Sequence, residues 1–184
     1  MQIQPFAHVS IIQILGGLAL AVVIAAAALR AGALSRSGAA AAVLTGTLIF
    51  GVGGLAWAAP LLTFFVSSSA LSRAFAPRKT ALSEKFSKGH RRDWAQVLAN
   101  GGLGALLAAA AGLFPQHSRA LWFAYAGAMA AVNADTWATE LGVLSKRPPR
   151  LITTFRLAER GASGAVSAPG SLAALAGAAL VGLV

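Results

Sequence analysis

The chain has 184 residues, of which 57 % are hydrophobic and only 11 % charged, with 20 glycines and a mean hydropathy of +0.71, a composition outside the range of soluble domains. Its 15 Lys and Arg against 5 Asp and Glu give a formal charge of +10, but the basic residues fall between apolar runs and lack the aromatic interleaving of a single-strand binder, so no nucleic acid is expected as a partner. Cysteine is absent, which excludes disulfides and thiolate metal sites, and His8, His90 and His117 are too dispersed for a histidine metal cluster.

Apolar runs long enough to cross a hydrocarbon core of about 30 Å recur along the whole length. They predict an all-α polytopic protein, residues 1–184 forming a single integral membrane domain with spans at 9–29, 38–53, 54–72, 94–114, 121–143 and 164–184. The first run follows MQIQPFAHVS, which supplies no Lys or Arg, so it reads as a span rather than a signal peptide. The second and third are divided only by GVGG at 51–54, either a tight turn or a flexible point in one long helix. With six spans, Arg30 and Arg36, seven basic residues from Arg73 to Arg92, and five from Lys146 to Arg160 share one side, leaving only Arg119 on the other. The positive-inside rule then expects a bacterial inner-membrane protein with cytoplasmic basic loops and an external N-terminus. Small residues, as in AVVIAAAAL, AAAAVLTG and GGLGALLAAAAG, predict a compact bundle with close helix approach.

Four polar islands interrupt this pattern toward the basic side. GALSRSG (32–38) offers Ser35 and Arg36, or simply a helix boundary with a serine cap. FFVSSSALSR (64–73) brings Ser67, Ser68, Ser69 and Arg73, although serines in membrane helices often bond their own backbone or a neighbouring helix. RRDWAQVLANGG (91–102) places Gln96 and Asn100 four apart on one face, with Asp93 a near neighbour of Gln96. The fourth, NADTWATELG (133–142), carries two of the five acidic residues of the chain.

On a helix, Asp135, Thr139, Thr136, Glu140 and Asn133 fall at about 0, 40, 100, 140 and 160°, one broad polar face. Intramembrane carboxylates generally face water or a cation and mark function; ion-paired structural carboxylates near a helix end are the bland alternative. Carboxylates joined by hydroxyl and amide oxygens suit a hard ion such as Mg²⁺, which makes Asp135 and Glu140 the candidate metal ligands, with Thr136 and Thr139 beside them. The adjoining SKRPPRLITTFR loop sets Lys146, Arg147, Arg150 and Arg156, with Thr153, where phosphates would be clamped; topology and attraction to anionic lipid would also produce such a loop. No GxxxxGK[ST] or complete GxGxxG occurs, so a soluble-type nucleotide fold is excluded. Convergence of the four islands on one leaflet predicts a cytoplasm-facing pocket.

In order along the chain, GALSRSG, FFVSSSALSR, QVLANGG, NADTWATELG, LSKRPPRLITT and GASGAVSAPG resemble the domain of unknown function 92 family of polytopic membrane proteins, which includes plant phytyl phosphate kinase and animal transmembrane protein 19. The resemblance covers about residues 30 to 175. It implies CTP or another nucleoside triphosphate, Mg²⁺, and an isoprenoid or lipid monophosphate of phytyl or geranylgeranyl type, converted to the diphosphate by a membrane-embedded phosphotransferase. On that resemblance Asp135 and Glu140 are metal and catalytic carboxylates, Asn100 and Ser67 to Ser69 line the site, and Lys146 with the following arginines meets phosphate. Family members usually continue with a further acidic motif resembling DSLLGA and an Asn-Asp pair, whereas this sequence ends at AGAALVGLV. The expectation is therefore a naturally short protein, a truncated chain, or a pocket completed by a second subunit in a homo-oligomer. The competing functions are a small-ion or metabolite transporter, with the same stripe as an ion path, and a noncatalytic lipid-binding membrane protein.

Overall fold

The computed structural model of the chain describes residues 9–80 and 91–184. Lys85, Lys88, His8 and His90, and the side chains of Arg78 and Lys79, lie outside those residues. The described chain is built from helices α1 (Ile11–Arg30), α2 (Arg36–Thr80), α3 (Trp94–Leu113), α4 (Ser118–Gly142) and α5 (Ala168–Gly182). Of these, α1, α2 and α3 are long and apolar enough to cross a membrane; the polar NADTWATE stretch in α4 and the shorter length of α5 set those two apart. A single 3-10 turn, Pro115–His117, joins α3 to α4.

Helix starts follow local chemistry. The Ser10 hydroxyl accepts from Gln13 N at 3.1 Å at the head of α1. Asp93 and Gln96 form a reciprocal capping box on α3, 2.9 and 3.2 Å. At the head of α5, Ser167 accepts from Gly170 N at 3.3 Å, with a proline in the first turn. The expected span at 164–184 begins later as a helix because Ala165–Val166 (β2) pairs antiparallel with Arg150–Leu151 (β1), a short ribbon that hydrophobicity alone did not signal.

The stretch called α2 contains 45 residues and would be about 67 Å long if straight. It is not straight: Gly54 sits at φ 67°, ψ −160°, a region essentially closed to residues with a Cβ. The chain doubles back there, and Arg73 near the far end donates to the Ala31 carbonyl just ahead of the near end. Of the two readings of GVGG, the tight reversal is the one adopted. The first half of α2 runs against α1, with Gly17 facing Gly51 and Gly46 facing Ala21. The second half runs beside α4, from Trp57 at Tyr125 to Ser72 at Glu140.

These pairings gather both ends of α2, the start of α3, the end of α4 and the start of α5 at one pole, where Arg30, Arg36, Arg73, Arg92 and the 146–160 basic residues also lie. At the opposite half, Trp57, Tyr125 and Met129 are fully buried among Ile49, Ala105 and Ala108. The Trp57 and Tyr125 rings stack at 4.7 Å and the tyrosine hydroxyl donates to the Trp57 carbonyl, so that half is closed by packed aromatic volume.

Helices α4 and α5 touch through small residues. A Cβ at Gly177 would lie 2.9 Å from the Trp137 ring and 3.1 Å from the Asn133 carbonyl. Gly177→Leu is therefore expected to lower the thermal unfolding midpoint in detergent markedly, an overpacking cost of roughly 1–3 kcal/mol. Unchanged melting would show that the two helices do not pack this closely.

Candidate functional site

The serine run of α2 makes a series of contacts to α4 and to the segment just ahead of α3. Ser67 donates to Asn133 Oδ1 at 3.2 Å and accepts from Trp137 Nε1 at 3.2 Å. Asn133 in turn donates to the Gly177 carbonyl at 2.7 Å, so one fully buried amide ties α2, α4 and α5 together. The next two residues, Ser68 and Ser69, accept from Arg92 Nη2 and Nη1, both at 2.9 Å. Ser72 donates to Glu140 Oε1 at 2.8 Å. Burial pushes the Arg92 guanidinium below its ordinary range, and the negative charge of Glu140 opposes that shift.

The single polar face of NADTWATELG therefore divides. Asn133 and Glu140, seven residues apart, are buried against α2. Asp135 and Thr139, four apart and rotated by about 100° or more, are exposed to a different space. That space is a cavity of about 510 Å³ between α4, the head of α5 and the 160–167 segment. Its polar lining is Asp135, Thr139, Arg160, Ser163, Ser167 and Ser171. Gly161 and Gly164, at φ 79° and 73°, let the segment wrap closely around it. Asp135 and Glu140 do not line one cavity, and among the described residues no group of three or more His, Asp or Glu stands ready as a metal cage. A single carboxylate amid hydroxyls still fits Mg²⁺, which keeps its waters and takes its remaining oxygens from phosphate.

The other predicted residues are placed as follows. Ser35 accepts from Gly38 N at 3.0 Å and pairs with Ser37, making GALSRSG a helix cap, with Arg36 exposed beside it. Arg73 is exposed and holds Ala31, and Gln96 is consumed by its capping box. Thr136 returns its hydroxyl to the Val132 carbonyl at 3.0 Å. Asn100 lines a separate, smaller apolar cleft instead of meeting the acidic stripe. In the basic loop, Lys146, Arg147, Arg150 and Thr153 are exposed and outside the lining of the large cavity, and Arg150 Nη1 is engaged by the Phe155 carbonyl at 2.7 Å. Arg156 is likewise exposed outside it. The cation that does line the cavity is Arg160, held by the Lys146 carbonyl at 3.2 Å.

Arg92 and Arg160 are the two cations that sequence reasoning passed over. Their signal was position: Arg92 lies within RRDWAQVLANGG, and Arg160 directly precedes GASGAVSAPG.

Comparison with known proteins bears on the same residues. The family described as integral membrane protein DUF92 matches residues 19–184. The chain is 39 % identical over 162 residues to Protein PGR of Arabidopsis thaliana, covering 82 % of this chain and 56 % of that one. It is 39 % identical over 123 residues to an uncharacterized membrane protein of Methanocaldococcus jannaschii, covering 67 % and 49 %. It is 29 % identical over 148 residues to Protein VTE6, chloroplastic, of Arabidopsis thaliana, covering 77 % and 44 %. The chain thus spans about half the length of the curated relatives it matches. No solved structure matches. A mostly helical chain with three long apolar helices, matched from residue 19 to residue 184, is an integral membrane protein of the DUF92 family.

Proposed function

We propose that the chain transfers the terminal phosphoryl group of CTP or another nucleoside triphosphate to an isoprenoid-type lipid monophosphate, giving the lipid diphosphate. The observation that carries this reading is the 510 Å³ cavity at the basic pole, whose lining includes Asp135, Arg160 and four hydroxyl side chains. Its size falls in the range of small-molecule sites, and its chemistry is that of a metal-bound polyphosphate. The resemblance of the sequence motifs to a lipid phosphate kinase family supports the choice of substrates.

In the reaction, an oxygen of the lipid monophosphate bonds to the terminal phosphorus, the bond from that phosphorus to its bridging oxygen breaks, and the nucleoside diphosphate leaves. Mg²⁺, held through Asp135 with Thr139 nearby, would screen charge on the phosphate oxygens. Arg160 offers planar N–H donors to the same oxygens, and the hydroxyls of Ser163 and Ser171 fix their orientation. Proximity to the membrane surface suits an acceptor whose tail stays in the bilayer. The crossing count, the cytoplasmic location of the basic pole and the bacterial inner membrane belong to this reading, since the nucleotide must reach the cavity from the cell interior. The transporter alternative would need a polar path continuing through the bundle, and the Trp57, Tyr125 and Met129 plug opposes it.

Purified protein in lipid nanodiscs, supplied with Mg²⁺, phytyl monophosphate and terminally labelled CTP or ATP, is expected to form labelled phytyl diphosphate. Absence of product with every nucleotide and prenyl monophosphate tried would end the reading for this chain. Arg160→Ala is expected to raise KM for the nucleotide about tenfold, the worth of one charge-assisted contact, while KM for the lipid stays near wild type.

A further inference from the structure

A second space lies between α1, α2 and α3. It is a narrow cleft of about 70 Å³ walled by Ala21, Ala25, Ala42, Leu62 and Phe65, among other apolar side chains. Three polar residues reach it: Thr45, Asn100 and Arg92. The Thr45 hydroxyl is returned to the Ala41 carbonyl at 2.9 Å, so Asn100 and Arg92 supply the polar character of the cleft.

Arg92 is held there with unusual firmness. Its backbone N–H donates to the Ala33 carbonyl and its carbonyl accepts from Ser35 N, both at 3.0 Å. Its guanidinium lies 5.5 Å above the Phe64 ring and 5.6 Å above Phe65, and spends one N–H on each of Ser68 and Ser69. A guanidinium has five N–H donors; among the described residues two of them are bonded, with the Glu140 charge also acting on the cation. A half-buried cation stacked on aromatic rings and lining an apolar slot is suited to an anion carrying a hydrocarbon tail. The narrowness of the slot favours a single chain over the paired chains of a phospholipid.

We propose that this cleft binds a single-chain lipid phosphate monoester at a position apart from the larger cavity, with Arg92 contacting the phosphate and the α1–α2–α3 walls taking the first part of the tail. The identity of the ligand rests on the phosphoryl-transfer reading above; the location of the site is independent of it. The remainder of a long tail lies in the bilayer, so binding depends on the phosphate and the chain nearest it more than on total length.

The full chain in nanodiscs is irradiated with a prenyl monophosphate carrying a diazirine near its head, and adducts are mapped by mass spectrometry. Adducts are expected on cleft residues such as Ala25, Ala42 and Leu62, displaced by unlabelled prenyl monophosphate but neither by the prenyl alcohol nor by excess phosphatidylglycerol. Arg92→Gln is expected to reduce labelling at least tenfold and Arg92→Lys less; Ala42→Phe, which leaves Arg92 in place, is expected to reduce it similarly by filling the slot. Adducts confined to outward residues such as Leu44 and Val66, displacement by phosphatidylglycerol, or labelling indifferent to both Arg92→Gln and Ala42→Phe would overturn the proposal. Labelling as expected without diphosphate formation would leave the lipid site standing and remove the kinase reading alone.

Discussion

Asp135→Asn is expected to lower kcat for diphosphate formation by at least about a hundredfold, the scale on which a preorganised electrostatic contact to a reacting phosphate acts. The thermal midpoint should stay near wild type, because Asp135 is exposed to the cavity and no packing is lost. The amide keeps one oxygen but removes the charge that would hold Mg²⁺, so the half-saturating Mg²⁺ concentration should rise together with the fall in kcat. Glu140 should behave in the opposite way. It is 8 % exposed and accepts from Ser72 at 2.8 Å, and its charge favours the half-buried Arg92 cation, so Glu140→Ala should cost about 1.5–3 kcal/mol in stability, the scale of a hydrogen bond to a charged group. Kinetics and thermal unfolding measured on the same two variants separate the roles. Wild-type turnover by Asp135→Asn would remove the carboxylate from the proposed mechanism.

The largest loss of stability is expected from Gly38→Ala. A Cβ at this position would lie 2.0 Å from the Arg92 carbonyl oxygen, far inside van der Waals contact. The oxygen has little freedom to withdraw, since it accepts from Ser35 N at 3.0 Å and Arg92 N is bonded to the Ala33 carbonyl. The added methyl must push the start of α3 away from the start of α2, carrying Arg92 off Ser68 and Ser69. The strain is expected at or above the roughly 1–3 kcal/mol typical of overpacked sites, read as lost monodisperse yield and a lowered midpoint in detergent. Gly16→Ala is the control, because a Cβ there meets nothing within 4 Å and a helical Gly to Ala change is worth about 1 kcal/mol in favour of the helix. A Gly38→Ala protein as stable as the Gly16→Ala protein would mean the α2–α3 junction is looser than described.

Much of the molecule was legible in the sequence, for reasons that are local. Apolar run length and cap residues specified the helices: Ser10, Asp93 and Ser167 each stand where a helix begins. The alternation of apolar runs with basic loops also pointed to a bundle with one basic pole. The four polar islands do lie toward that pole, and the capping alternative for GALSRSG describes what Ser35 does.

The composition of the site was less legible, because it depends on what each face of a helix meets. Asp135 and Glu140 are close in sequence and fall on one broad arc of α4, yet a rotation of about 140° is enough to give them different neighbours once α2 and α5 take opposite sides. The basic loop offered several equivalent cations to sequence reasoning, and only the β1–β2 ribbon decides that Arg160 lines the cavity while Lys146, Arg147 and Arg150 stay outside it. Likewise, GVGG permitted a turn or a bend; the positive φ of Gly54 and the return of Arg73 to Ala31 make it a reversal. The sequence by itself determined a helical, membrane-integral chain with its polar chemistry at one end, because hydropathy and caps act over a few residues. Which polar groups face the same space was left to tertiary packing, because that is decided by contacts between helices far apart in the chain.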